Sequence, residues 1–66
     1  MSDGLLRYFE FEHLRDDLRP VSQKFHELAA WIVAELPRNA ERTVALRKLL
    51  EAKDAAVRAR LQAAQD

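Results

Sequence analysis

The stretch Leu36-Pro37-Arg38-Asn39 constrains this chain more than any other feature. Pro37 cannot continue a helix, and Asn39 is well suited to begin one. On both sides of it the apolar residues recur at helical spacing. Leu14, Leu18, Val21, Phe25, Leu28, Ile32 and Leu36 step by 4, 3, 4, 3, 4 and 4, a nearly heptad seam that Ala29 and Val33 widen. Pro20 suits the first turn of a helix and disfavours helix in the residue before it. The spacing therefore predicts one helix over about residues 20–36. A second is expected over about 40–62, fraying toward Asp66, with Glu41 in its first turn where the helix dipole favours an anion. So short a connection makes the two helices antiparallel neighbours. The expected fold class is all-α: one domain, residues 1–66, an antiparallel helical hairpin with an N-terminal arm over residues 1–19.

The second helix carries two apolar stripes. Ala45, Leu49, Ala52, Ala56, Ala59 and Ala63 form one, and Leu46, Leu50, Val57, Leu61 and Ala64 form the other. Together they span more of the circumference than one partner helix covers. A 66-residue chain is also near the lower limit of independent stability. It has no cysteine, so disulfides and thiolate zinc sites are excluded, and its two histidines, His13 and His26, lie in no ligand cluster. Self-association is the remaining support, and a homo-oligomer is expected. Trp31 falls off the seam of the first helix, so it is expected near an interface or a ligand and not in the hairpin's own core.

The arm reads differently. Phe9-Glu10-Phe11-Glu12-His13 alternates apolar and acidic residues, which predicts a short extended piece packed over a helix or a neighbouring subunit. Leu14 to Arg19 suits a single helical turn. Tyr8, Phe9 and Phe11 gather three of the five aromatic residues here. They are either a cover for the open side of the hairpin or a stacking surface for a flat base.

Eleven basic residues balance eleven acidic ones, which argues against binding long nucleic acid. The balance is uneven: residues 1–37 hold four basic and seven acidic groups, residues 38–66 seven and four. The second half can therefore hold a small anion, and the two halves attract each other. No apolar run approaches the roughly 20 residues of a membrane span, and the start lacks the pattern of a signal peptide. A cytoplasmic location is expected.

Little suggests catalysis. Asp16 and Asp17 are adjacent, and neighbours on a helix do not face each other, so local capping near Pro20 is their expected role. Ser2 lies in the terminal stretch and Ser22 has only helix neighbours, so no serine, histidine and acid arrangement suggests nucleophilic catalysis, and Gly4 is the only glycine, so no phosphate loop exists. Arg47, Glu51, Asp54 and Arg58 form a polar stripe whose plain reading is a solvated ladder of ion pairs; the alternative gives Arg47 or Arg58 a phosphate. Lys24 and His26 flank Phe25. The plain reading faces both toward solvent, and the functional one places either at a subunit junction facing an anion.

The run Glu41-Arg42-Thr43-Val44-Ala45-Leu46-Arg47-Lys48-Leu49-Leu50-Glu51-Ala52-Lys53-Asp54-Ala55-Ala56-Val57-Arg58-Ala59, with Phe25-His26-Glu27-Leu28-Ala29 and Leu36-Pro37 before it, resembles the hairpin domain of small phage-encoded anti-CBASS sponge proteins. The resemblance covers roughly residues 20–60. It implies a protein with no enzymatic activity; no metal or cofactor is expected. Such proteins bind the cyclic oligonucleotide messengers that bacteria make on infection and keep them from immune effectors in the host cytoplasm. It also implies helical hairpins assembled as hexamers, with ligands held where subunits meet. The family's dinucleotide pocket uses an aromatic residue before the first long helix and a lysine early in it. Phe11 or Tyr8 and Lys24 match these, with His26 replacing Lys24 if the register slips. Thr43, Arg47 and Lys48 match the start of the second helix as candidates for a phosphate or base edge. Cyclic dinucleotides, cyclic trinucleotides and cyclised ADP-ribose products all stay open as ligands. The alternative, from a different class, is an oligomeric adaptor that binds a protein helix.

Overall fold

The computed structural model of the chain describes residues 4–65, with side chains over 6–62. Ser2 and the side chains of Ala63 and Ala64, which end the two stripes, lie outside the described residues. A 3-10 helix, Gly4–Phe9, is followed by turns, then by α1, Arg19–Glu35, and α2, Ala40–Gln65. The described residues are helical or irregular, and the two long helices pack as the expected hairpin. At about 1.5 Å per residue the 26-residue α2 is roughly 39 Å long, which accounts for a molecule 42 Å in its longest extent and 16 Å in its shortest. Among the described residues, no helix is long and apolar enough to cross a membrane.

The ends of the helices follow the residues at the connection. Asn39 caps α2: its Oδ1 accepts the Arg42 N–H at 2.9 Å. Leu36 leaves α1 in an extended conformation, with its N–H still on the Ile32 carbonyl at 3.0 Å. The last carbonyls of a helix lack internal donors, and here α2 supplies one. The Arg42 guanidinium is buried and donates to the carbonyls of Val33 at 3.2 Å and Leu36 at 3.3 Å. One arginine thus ties the end of α1 to the start of α2.

Pro20 lies in the first turn of α1, as expected, but Asp16 and Asp17 do not cap it. Asp16 pairs with Arg19 at 2.7 Å, and the Asp17 carboxylate accepts from Nε and Nη2 of Arg15 at 3.1 and 2.9 Å. Arginine forks outcompete the helix N–H groups for these exposed carboxylates. The Asp17 carboxyl is held below its usual range, first by its hydrogen bond from Arg15.

The arm differs from the extended piece expected of Phe9 to His13. Phe9 ends the 3-10 helix, and turns follow it, with Glu10 N–H on the Arg7 carbonyl and Leu14 N–H on that of Phe11 at 3.1 Å. A lone strand leaves its backbone groups unpaired, whereas turns satisfy them locally. The rings then separate by role. Phe9 is fully buried in the core with Ala29, Ile32 and Leu46, while Tyr8 is 48% exposed.

The inward face of α1 is rotated from the expected seam. It runs through Leu18, Ser22, Phe25, Ala29 and Ile32, and Leu28 is instead 47% exposed. Ser22 and Ala29, both without accessible surface, allow the close approach that a leucine line prevents. On α2 the inward residues come from both stripes, including Leu46, Leu49, Leu50, Ala56 and Val57, whereas Ala52 and Ala59 are exposed. Lys53 also turns inward, reaching the Tyr8 carbonyl with its Nζ and lying 5.9 Å from the centre of the Phe9 ring.

Candidate ligand-binding site

Apart from Tyr8, the residues expected to bind a ligand occupy three surfaces. The first is the junction of the arm and α1. Phe11, half-buried, meets the His26 ring edge-on, with centroids 5.3 Å apart and planes at 63°. His26 is therefore not a solvent-facing residue: it is half-buried, and its Nδ1 is enclosed with no hydrogen-bond partner. One helical turn earlier, Ser22 is fully buried, and its Oγ also has no partner. Glu12 adds negative charge. Its carboxylate accepts the Phe11 N–H at 3.3 Å and is held below the usual carboxylate range, chiefly by backbone N–H groups of Glu12 and Phe11, with His26 and His13 adding weaker attraction.

The second surface is the outward face of α1. Lys24, Leu28, Trp31 and Glu35 follow at spacings of 4, 3 and 4, and all four are exposed. Trp31, at 55%, is indeed outside the hairpin core. Two positions separate Lys24 from His26, which places them on opposite sides of the helix. A single chain therefore does not bring that lysine to Phe11.

The third surface is the first half of α2. The Thr43 hydroxyl lies 3.4 Å from the Asn39 carbonyl, which engages it in the helix start. Arg47 and Lys48 are exposed, Lys48 lying 3.8 Å from Glu51. Asp54 approaches Lys53 at 3.7 Å, so the expected ladder of arginine pairs on α2 is partly replaced by lysine contacts. Near this end a hollow of about 190 Å³ is lined by Leu36, Pro37, Asn39, Glu41, Arg42 and Ala45, none of them an expected ligand residue.

Tyr8 stands apart from these, with the Arg7 guanidinium 5.1 Å from its ring centre and donating to its hydroxyl at 3.1 Å. Arg42 and Lys53 take structural roles that the sequence analysis did not assign, and Ser22, weighed there only as a nucleophile, is a core residue. A serine or cation at core spacing on an amphipathic helix was the available signal for each. Among the described residues, no group of three or more His, Asp or Glu side chains is placed to hold a metal ion.

Comparison with protein-family models, with curated proteins and with solved structures finds no match to this chain.

Proposed function

We propose that this protein is a non-enzymatic sponge that binds cyclic di- or trinucleotide messengers where copies of the hairpin meet, and thereby keeps them from bacterial immune effectors. The observation that carries the reading is the division of ring and cation between opposite faces of α1. Phe11 lies against His26 on one side, and Lys24 is exposed on the other beside Leu28 and Trp31. A ligand needing both a stacking face and a cation draws them from two copies. The exposed Leu28 and Trp31 give those copies a reason to associate.

A cyclic oligonucleotide suits such a junction. It is a compact ring of flat bases and phosphates, recognised by stacking and a few cations without a broad basic surface. Arg47 and Lys48 add exposed positive charge on α2 for the phosphates, and the resemblance over residues 20–60 points to the same ligand class. The compartment proposed is the host bacterial cytoplasm, the self-assembly a hexamer.

The exposed line of Leu28 and Trp31 also favours a second reading, an oligomeric adaptor that binds a protein helix. Calorimetry with a panel of cyclic dinucleotides and trinucleotides separates the two. Binding with release of the intact cyclic ligand supports the sponge, and an intact oligomer that binds none of them supports the adaptor.

A further inference from the structure

Two buried polar atoms on α1 make no hydrogen bond within the fold. Ser22 Oγ and His26 Nδ1 are both enclosed and without a hydrogen-bond partner. The residues are four apart on α1, so their side chains are neighbours on one face. Buried polar groups are ordinarily paired, and an alanine at position 22 would suit both the helix and the packing better. What stands over His26 is the edge of Phe11, a half-buried side chain in the irregular segment between the helices. Moving that ring requires a side-chain rotation and no helix rearrangement.

We infer that Ser22 and His26 form a recognition site for the edge of a nucleobase, with Phe11 lying on the His26 ring until the base enters. In the bound state Phe11 swings off His26 and stacks on the base, and the base edge faces the hydroxyl and the imidazole nitrogen. A hydroxyl both donates and accepts, and an imidazole nitrogen does either according to tautomer. The pair therefore matches an edge with a donor beside an acceptor, as the amino group and N7 of adenine present. Glu12, whose carboxylate accepts the Phe11 N–H, adds negative charge at this end of the arm, which suits an exocyclic amine better than a phosphate. For its natural ligand the site rests on the sponge reading, as the place where one base of the messenger is read.

The probes are adenosine and guanosine, followed by a cyclic dinucleotide, titrated into isotope-labelled protein with the His26 ring resonances observed by NMR. The His26 signals shift with a purine nucleoside. Ser22→Ala weakens binding about tenfold, the loss of one hydrogen bond, and leaves the melting temperature unchanged or higher. His26→Phe keeps the ring contact with Phe11 and abolishes the binding. Unshifted His26 resonances overturn the inference, as does a Ser22→Ala protein that binds like the parent, whatever its melting temperature. The two readings fail separately. Cyclic dinucleotide binding with His26 unmoved leaves the sponge and removes this site, whereas nucleoside shifts without any cyclic-ligand affinity keep the site and remove the sponge.

Discussion

Arg42 shows how one buried cation serves two helices. Its guanidinium replaces solvent at the carbonyl end of α1, where the helix dipole favours positive charge, while its backbone N–H is held by Asn39. Arg42→Ala leaves the Val33 and Leu36 carbonyls without this donor. A loss of about 1–3 kcal/mol is expected in urea unfolding, whereas an exposed arginine on the same helix, such as Arg47, costs far less. Lys53 plays a similar part for the arm. Lys53→Met keeps the apolar stem but removes the bond to the Tyr8 carbonyl. Amide exchange over residues 4–9 should quicken while α2 stays protected. Asp17 and Glu12 set the acid response of the same region. Both carboxyls titrate below their usual range in the folded chain, so they contribute stability that is present above the unfolded value. It is lost as pH falls through roughly 4 and below. Amide protons of residues 10–18 should lose protection in that window before those of α2, and Asp17→Asn together with Glu12→Gln should remove the difference.

The elements themselves were mostly legible. Pro20, Pro37 and Asn39 set the limits of α1 and the start of α2 through local chemistry, which needs no tertiary context. Asn39→Ala should accordingly cost about 1 kcal/mol, seen as a lower urea midpoint with unchanged slope. The inward face of α1 keeps the expected Phe25, Ala29 and Ile32 but takes in Ser22, because a heptad count of large apolar residues ignores how close the helices come. Ser22 and Ala29 face inward, and Leu28 is released to the surface. The arm departs from the expected extended piece for a related reason. Alternation over five residues suits a strand, but the turns pair backbone groups that a lone strand leaves open, and only Phe9 is swallowed by the core. Alanine at 52 is exposed and at 56 half-buried on α2, which places the small-residue stripe at the edge of the hairpin. If copies pack there, Ala52→Leu weakens assembly by about 1–3 kcal/mol of overpacking, read by light scattering across a dilution series.

The candidate site, at the scale of the molecule, was only half visible in the sequence. Residue types could be named, but Phe11 and His26 meet while Lys24 points away, and spacing alone could not show which arm residue lies over α1. A hairpin 42 Å long and 16 Å thin, with Leu28 and Trp31 half exposed, has apolar surface that its own fold does not cover. Self-association follows as an expectation, and Trp31 fluorescence should shift as the oligomer is diluted apart. The central claim is more specific than assembly: the assembled protein holds a cyclic oligonucleotide and does not cut it. The most direct measurement is calorimetry of the intact oligomer against cyclic di- and trinucleotides, followed by chromatography of the ligand released by heating. Saturable binding, weakened by Lys24→Ala without loss of assembly, and recovery of the intact ring are predicted. An intact oligomer that binds none of the panel, or returns linear nucleotide, contradicts the account.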